Sequence, residues 1–383
     1  MDGSANTADS FGSAPAASAP ERVWRRYLKQ TPLESLQPRR ICIVKPSALG
    51  DIVQTLPVLS MLRQRFPHAH VAWVVKPGLA GILRGHPEID QLIEMPRGSG
   101  GRMVLGFMWM LNRLRRERFD LVLDIQGLFR SGLMTWCTRA PRRLGYRLAR
   151  EGAFVAYTDT IDVDYRKMPA LEHYQLFAER LGCSLPVPPA LVPISHQDRQ
   201  KIHAQLARLP RPWLAVHAGA QWETKRWPPE SFAQVARWAN EQHGAGIILL
   251  GGPGEGALAG QVQQLLDGPV VNLAESTTLT ELAAAAEAAD VFLAGDTGPM
   301  HLAAAVGTPV VALFTCTSPM RAGPRGTAHQ VVATAVPCAA SYLKKCPDMQ
   351  CMRELTPQRV WPAVSALLSQ AAQLRAGQRA DCG

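Results

Sequence analysis

Long apolar runs are scarce in this chain. The longest, Met103 to Leu111, falls far short of the roughly 20 residues that cross a bilayer, so no transmembrane helix is expected and any membrane contact is peripheral. A secretory leader is missing too: residues 1–20 are mostly Ala, Ser, Gly and Pro, without a basic start or an apolar stretch. That composition points to a disordered tail, extended here to residue 37, on a chain that stays in the cytoplasm. Cysteine is sparse, eight in 383 residues, and only Cys338, Cys346 and Cys351 cluster. Reduced thiols are expected in a large cytosolic chain, and zinc would need a second close pair beside Cys346 and Cys351, so no metal is expected. No Gly-Lys-Ser/Thr closes a phosphate loop, which disfavours ATP hydrolysis. A net charge of +10 calls for an acidic partner, but without a helix-turn-helix, zinc-finger or RNA-binding signature nucleic acid is not expected. Anionic lipid or a phosphorylated substrate remains.

What the chain does have is a repeating rhythm of short β-branched runs and helix-length amphipathic segments, the signature of parallel sheets covered by helices. Strands are expected near Ile41–Val44, Val71–Val75, Gln91–Met95 and Leu121–Ile125. A polar, Pro-rich stretch from Ser184 to Pro212 interrupts the rhythm. It resumes with Trp213–His217, Ile247–Leu250, Val270–Asn272, Val291–Leu293 and Val310–Phe314, and a final helix over Pro357–Leu374. The expectation is an α/β protein of two doubly wound domains, residues 38–195 and 196–374, followed by a tail over 375–383. Ligand loops of such domains lie at the carboxyl ends of the strands and face one another across a cleft.

Four loops sit at such ends. The first, Lys45–Asp51 (KPSALGD), joins a strand to a helix start, where Gly50 gives backbone freedom and the helix N-terminus offers free N–H groups to an anion. Asp51 is either an N-cap carboxylate or an acid aimed into the cleft. The second, His217–Glu230, carries Lys225 and Arg226, cations suited to a pyrophosphate or to a solvated loop; His217 itself reads as structural. The third, Leu249–Ala257 (LLGGPGEGA), is Gly-rich, with Glu255 placed for ribose hydroxyls or for the helix dipole. The fourth is the sharpest. In Ala294–Pro309 (AGDTGPMHLAAAVGTP), Asp296, Thr297 and Gly298 open a small-residue helix bearing His301 one turn in, so free amides can wrap a phosphate and His301 can add a donor.

Together these loops resemble glycosyltransferase family 9, the heptosyltransferases of lipopolysaccharide core synthesis. The resemblance covers about Arg40 to Leu374, on KPSALGDIVQTLP, DIQGLFRSG, KRWP and GDTGPMHLAAAVGTP in order. The segments Asp124–Leu128 and Ala149–Glu151 sit closer to the heptosyltransferase I branch than to heptosyltransferase II. The resemblance implies the GT-B architecture, two Rossmann-like domains, and inverting transfer of heptose from ADP-heptose to a Kdo-lipid A acceptor, with no cofactor. It also implies that Asp51 is the catalytic base, that Lys225 binds the diphosphate, and that Asp296, Thr297, Gly298 and His301 form the donor phosphate loop beside Glu255. Lys225 and the Thr297–Gly298 amides would then stabilise the leaving diphosphate without a metal. Asp162-Val163-Asp164 is read as surface charge rather than a metal motif.

Ser47, Arg147 and Arg150 are the expected acceptor contacts, with Arg142 and Arg143 in the same basic group. Gly101–Phe119, apolar first and arginine-rich after, either lies on the anionic inner face of the inner membrane or packs as an ordinary helix. The competing readings are transfer of another nucleotide-activated sugar, an epimerase of the same shape, and a basic nucleic-acid binder.

Overall fold

A computed structural model describes residues 20–381 apart from 185 and 327. The first half runs α1 (Glu21–Gln30), β1 (Arg40–Val44), α2 (Leu49–Arg65), β2 (His70–Val75), β3 (Gln91–Glu94), α3 (Gly100–Arg116), β4 (Leu121–Asp124), α4 (Phe129–Cys137), β5 (Arg142–Tyr146), β6 (Asp159–Ile161) and α5 (Ala170–Glu179). The second half runs α6 (His196–Leu206), β7 (Trp213–His217), α7 (Pro229–His243), β8 (Gly246–Leu250), α8 (Gly256–Gln264), β9 (Val270–Asn272), α9 (Leu279–Ala288), β10 (Val291–Gly295), α10 (Gly298–Ala305), β11 (Val310–Phe314), α11 (Pro319–Ala322), β12 (Gln330–Ala333), α12 (Gln350–Glu354) and α13 (Pro357–Asp381).

The strands form two parallel six-stranded sheets, in the orders β3-β2-β1-β4-β5-β6 and β12-β11-β10-β7-β8-β9. Each is the doubly wound order whose direction reverses between its two central strands, β1 and β4 in one, β7 and β10 in the other. Helices cover both faces of a parallel sheet, so its central strands are buried on both sides and read as continuous apolar runs. β7, β8, β10 and β11 are buried along their whole length, while the edge strands β3, β6, β9 and β12 are only partly so. β5, β6 and β12 escaped the sequence reading because their segments carry too little apolar signal: interior β5 opens with Arg142-Arg143, β6 is only Asp-Thr-Ile, and edge strand β12 is Gln330-Val-Val-Ala. One core cluster runs from the first sheet through to the second, and each sheet has a further core on its other face.

The expected tail needs two corrections. Residues 1–19 lie outside the described residues, but residues 20–37 are built into the fold. α1 buries Trp24 and Leu28, the Trp24 indole donates to Asp120 at 2.9 Å, and Arg142 holds the helix end through the carbonyls of Leu28 and Thr31. Burying an indole and a leucine spaced one turn apart is enough to dock a short helix that would be marginal alone. At the other end α13 continues past Leu374 to Asp381, so 375–381 is helix rather than tail.

Candidate active site

The two helices that follow the central strands bring the chemistry together. The N-termini of α2, after β1, and α10, after β10, meet across the domain boundary so closely that side chains are excluded. A Cβ on Gly50 would lie 2.5 Å from Cδ2 of His301, and one on Gly298 would lie 2.8 Å from Cβ of Leu49. Gly50 is therefore required by a residue of the opposite domain, beyond any demand of its own loop. Beside this junction opens a cleft of about 690 Å³, in the range that holds a small ligand or cofactor. Lys45, Asp51, Arg150, Lys225, Glu255, Asp296, Thr297, Gly298 and His301 all line it.

Asp51 occupies the third position of α2 and is held on both oxygens. Ala48 N–H donates to Oδ2 at 3.0 Å and the Tyr174 hydroxyl donates to Oδ1 at 2.7 Å. Lys45, at the end of β1, lies 3.7 Å from Oδ2 and donates to Tyr174 Oη at 3.1 Å. Burial pushes the Asp51 carboxyl up, but Lys45, Tyr174 and the Ala48 amide outweigh it and hold the group below its usual value. Burial likewise pulls the Lys45 amine down, against the opposing pull of Asp51 and Asp124. Asp51 is not itself the N-cap, a position held by Ala48; from the first turn its carboxylate accepts from the Ala48 amide, and its side chain, 37% exposed, lines the cleft. An ionised carboxylate so placed can accept a proton from a ligand hydroxyl.

Across the cleft, Lys225 Nζ donates to Asp296 Oδ2 at 2.6 Å and to the Asp296 carbonyl at 3.1 Å, while His301 Nε2 stands 3.7 Å from Oδ1. Burial raises the Asp296 carboxyl, yet His301 and Lys225 together hold it well below the carboxylate range. Asp296 is thus the brace of the lysine and not a helix cap. Thr297 occupies the cap position, makes no side-chain cap bond, and leaves the first-turn amides of Gly298 and Met300 ahead of the helix's own ladder. A cation beside a helix N-terminus is suited to a diphosphate. The Lys225 loop is tied down from behind: Trp227 is buried with its indole bonded to Leu355 O, and Thr224 bonds Leu343 O.

Glu255 bonds the Gly252 amide at 2.7 Å and the His217 ring at 3.0 Å. Burial pushes its carboxyl up, and His217 and the amide more than offset that. His217, read as structural, itself lines the cleft and there orients the Glu255 carboxylate.

Other expected residues fall elsewhere. Ser47 is half-buried and does not line the cleft. Arg147 pairs with Asp162 at 2.7 Å outside it, whereas Arg150 does line it. Arg142 is buried against Asp159 with bonds of 2.9 and 2.6 Å, and Arg143 donates to the carbonyls of Ala156 and Ala140, so both are structural and not part of a basic acceptor face. Arg226 folds back onto Ala220 O. Asp164 caps a short turn and pairs with Arg166 and Lys167. Asp124 of the DIQGL segment is buried, and its carboxylate gathers the amides of Gln126 and Gly127 and the Tyr157 hydroxyl, shaping the loop after β4. Among the described residues no group of three His, Cys, Asp or Glu is placed to hold a metal ion.

Sequence reasoning missed Lys45, Tyr174, His173, Trp222 and Arg321, which also line the cleft. Burial and the Lys45 charge pull His173 down to about 3, so it is neutral and pairs with the Tyr146 hydroxyl at 2.7 Å. The one available signal was Lys45 at the carboxyl end of a buried strand, a costly place for an unpaired charge.

Comparison with known proteins gives a family and a shared fold. The sequence profile described as Glycosyltransferase family 9 (heptosyltransferase) matches residues 108–352. The chain is 29% identical over 306 residues to the lipopolysaccharide core heptosyltransferase OpsX of Haemophilus influenzae, covering 79% of this chain and 86% of that one. It is 29% identical over 359 residues to lipopolysaccharide heptosyltransferase 1 of Pseudomonas aeruginosa, covering 86% and 98%. The structure of the Escherichia coli ADP-heptose lipopolysaccharide heptosyltransferase II superimposes with a TM-score of 0.73 at 23% identity, over 86% of this chain and 99% of that one, and so shares the fold. With two doubly wound domains facing a common cleft, and with the family profile matching well over half of the chain, from the later part of the first domain through most of the second, the chain belongs to glycosyltransferase family 9, the heptosyltransferases.

Proposed function

We propose that the enzyme transfers heptose from ADP-heptose to the Kdo-lipid A inner core of lipopolysaccharide, with inversion and without a metal ion. The observation that carries the reading is the apposition of an ionised Asp51 on the first domain and the Lys225-flanked N-terminus of α10 on the second, within one cleft. Curated relatives named as lipopolysaccharide heptosyltransferases support the substrate class, and a relative of the same fold is named for ADP-heptose.

In this mechanism Asp51 takes the proton of the acceptor hydroxyl as that oxygen bonds the anomeric carbon from the face opposite the diphosphate. The bond from that carbon to the diphosphate oxygen breaks, and ADP leaves with the electron pair. Lys225 and the Gly298 and Met300 amides stabilise the developing charge, the role a divalent ion takes elsewhere. Glu255, oriented by His217, receives the ribose hydroxyls, and Arg150 meets the anionic groups of the acceptor. The enzyme works at the cytoplasmic face of the inner membrane, where its acceptor is embedded; no described helix is long and apolar enough to cross a membrane.

The test is Asp51→Asn with ADP-heptose and Kdo-lipid A, reading the heptose mass increment with and without a chelator. Loss of about 10²–10⁴-fold in turnover with donor binding retained is expected, since that is what a positioned base contributes. Turnover unchanged in the variant, or abolished by chelator, overturns the mechanism.

A further inference from the structure

The face of α3 turned away from its sheet is apolar. Val104, Leu105, Met108 and Trp109 are 58, 72, 59 and 65% exposed, and on the neighbouring α4 Phe129 and Trp136 are 62 and 58% exposed. The side chains beneath, Phe107, Leu133 and Cys137, pack partly buried on the core under both helices, so the two exposed sets form one surface. Soluble chains seldom leave so large an apolar patch uncovered without a use.

The rim supplies the second observation. Arg97, Arg102, Arg115, Arg116, Arg130 and Arg139 are all exposed around the patch, and no Asp or Glu occurs from Met95 to Arg116 or from Ile125 to Arg150. The third is position. α4 follows directly on Leu128, which lines the cleft, and Phe129 N–H donates to Glu151 beside Arg150, another lining residue. The patch therefore ends at the mouth of the cleft, on the Asp51 side.

We propose that this face docks on an anionic lipid bilayer. Leu105, Met108, Trp109 and Phe129 enter the boundary between headgroups and acyl chains, and the arginine rim binds lipid phosphates. A second copy of the chain is the poorer occupant, because pairing this face with itself would set arginine against arginine. Docked this way, the cleft mouth lies at headgroup depth, where Arg150 and Asp51 meet the sugar of a lipid-anchored acceptor; this orientation rests on the lipid-acceptor reading above, whereas the binding itself does not.

The experiment compares wild type with a Leu105→Glu, Trp109→Glu double variant by co-sedimentation with vesicles of phosphatidylethanolamine and phosphatidylglycerol, and with phosphatidylcholine vesicles alone. Both residues are exposed, so the melting temperature should not move. Wild type should bind the anionic vesicles in a salt-sensitive way and the variant should lose at least about tenfold in partitioning. Transfer to detergent-dispersed acceptor should be equal for both, and transfer to vesicle-embedded acceptor slower for the variant. Equal partitioning of both proteins, absence of wild-type binding, or light scattering that shows a wild-type dimer broken by the variant overturns the docking face. If the vesicles are bound but no lipid acceptor is glycosylated, the docking face stands and the acceptor reading falls.

Discussion

Tyr174→Phe isolates the device that keeps Asp51 a base. The substitution removes one hydroxyl, which donates to Asp51 Oδ1 at 2.7 Å and accepts from Lys45 at 3.1 Å, and leaves the ring in place. A hydrogen bond to a charged group contributes about 1.5–3 kcal/mol. The Asp51 side chain is 37% exposed, so solvent screening favours the low end, about 1.5 kcal/mol, or about one pH unit. Wild-type Asp51 is held below its ordinary value against the upward push of burial. Losing the hydroxyl lets burial raise it, and the acid limb of the kcat/KM profile should move up by about one unit. At neutral pH both forms remain ionised and the rates should differ little; on the acid limb the variant should be about tenfold slower. The assay is the initial rate of heptose transfer across the acid and neutral range, with folding checked at each pH by circular dichroism. An unmoved acid limb, or a loss equal at every pH, would refute the idea that Tyr174 acts through the charge of Asp51.

Gly50→Ala should drive a Cβ against His301 and part the two helix N-termini, lowering kcat/KM by about 10²-fold through misplacement of the base, as steady-state kinetics would show. Arg142→Ala should cost about 3 kcal/mol in denaturant unfolding, because it takes the cation from partly buried Asp159 and frees the end of α1. Asp296, held well below its usual value of 3.8, contributes stability that is complete above that value and is lost as pH falls below it. Acid unfolding of Asp296→Asn, followed by fluorescence, should therefore show a flatter loss of stability in that range than wild type.

Much of the site was legible along the chain because the doubly wound fold obeys a local rule. A buried strand followed by a small-residue loop and a helix start puts that loop at the ligand end of the sheet. Asp51, Lys225, Glu255, Asp296, Thr297, Gly298 and His301 all satisfy the rule, and the structure gathers all of them in one cleft. Arg142 and Arg143 did not read correctly, since a basic pair looks the same in sequence whether it meets solvent or, as here, a partly buried carboxylate and backbone carbonyls.

The amino-acid order by itself determined the apolar strands, the helix starts that follow them and the side chains that crown them, for those depend on periodicity and neighbours within a few residues. Tertiary structure alone decided that Tyr174, 123 residues away, clamps Asp51, that Asp296 braces Lys225, and that Gly50 yields to His301. The first two pairings join segments far apart in sequence within one domain, the third depends on how two separately wound sheets are set against one another, and no local pattern carries such distances.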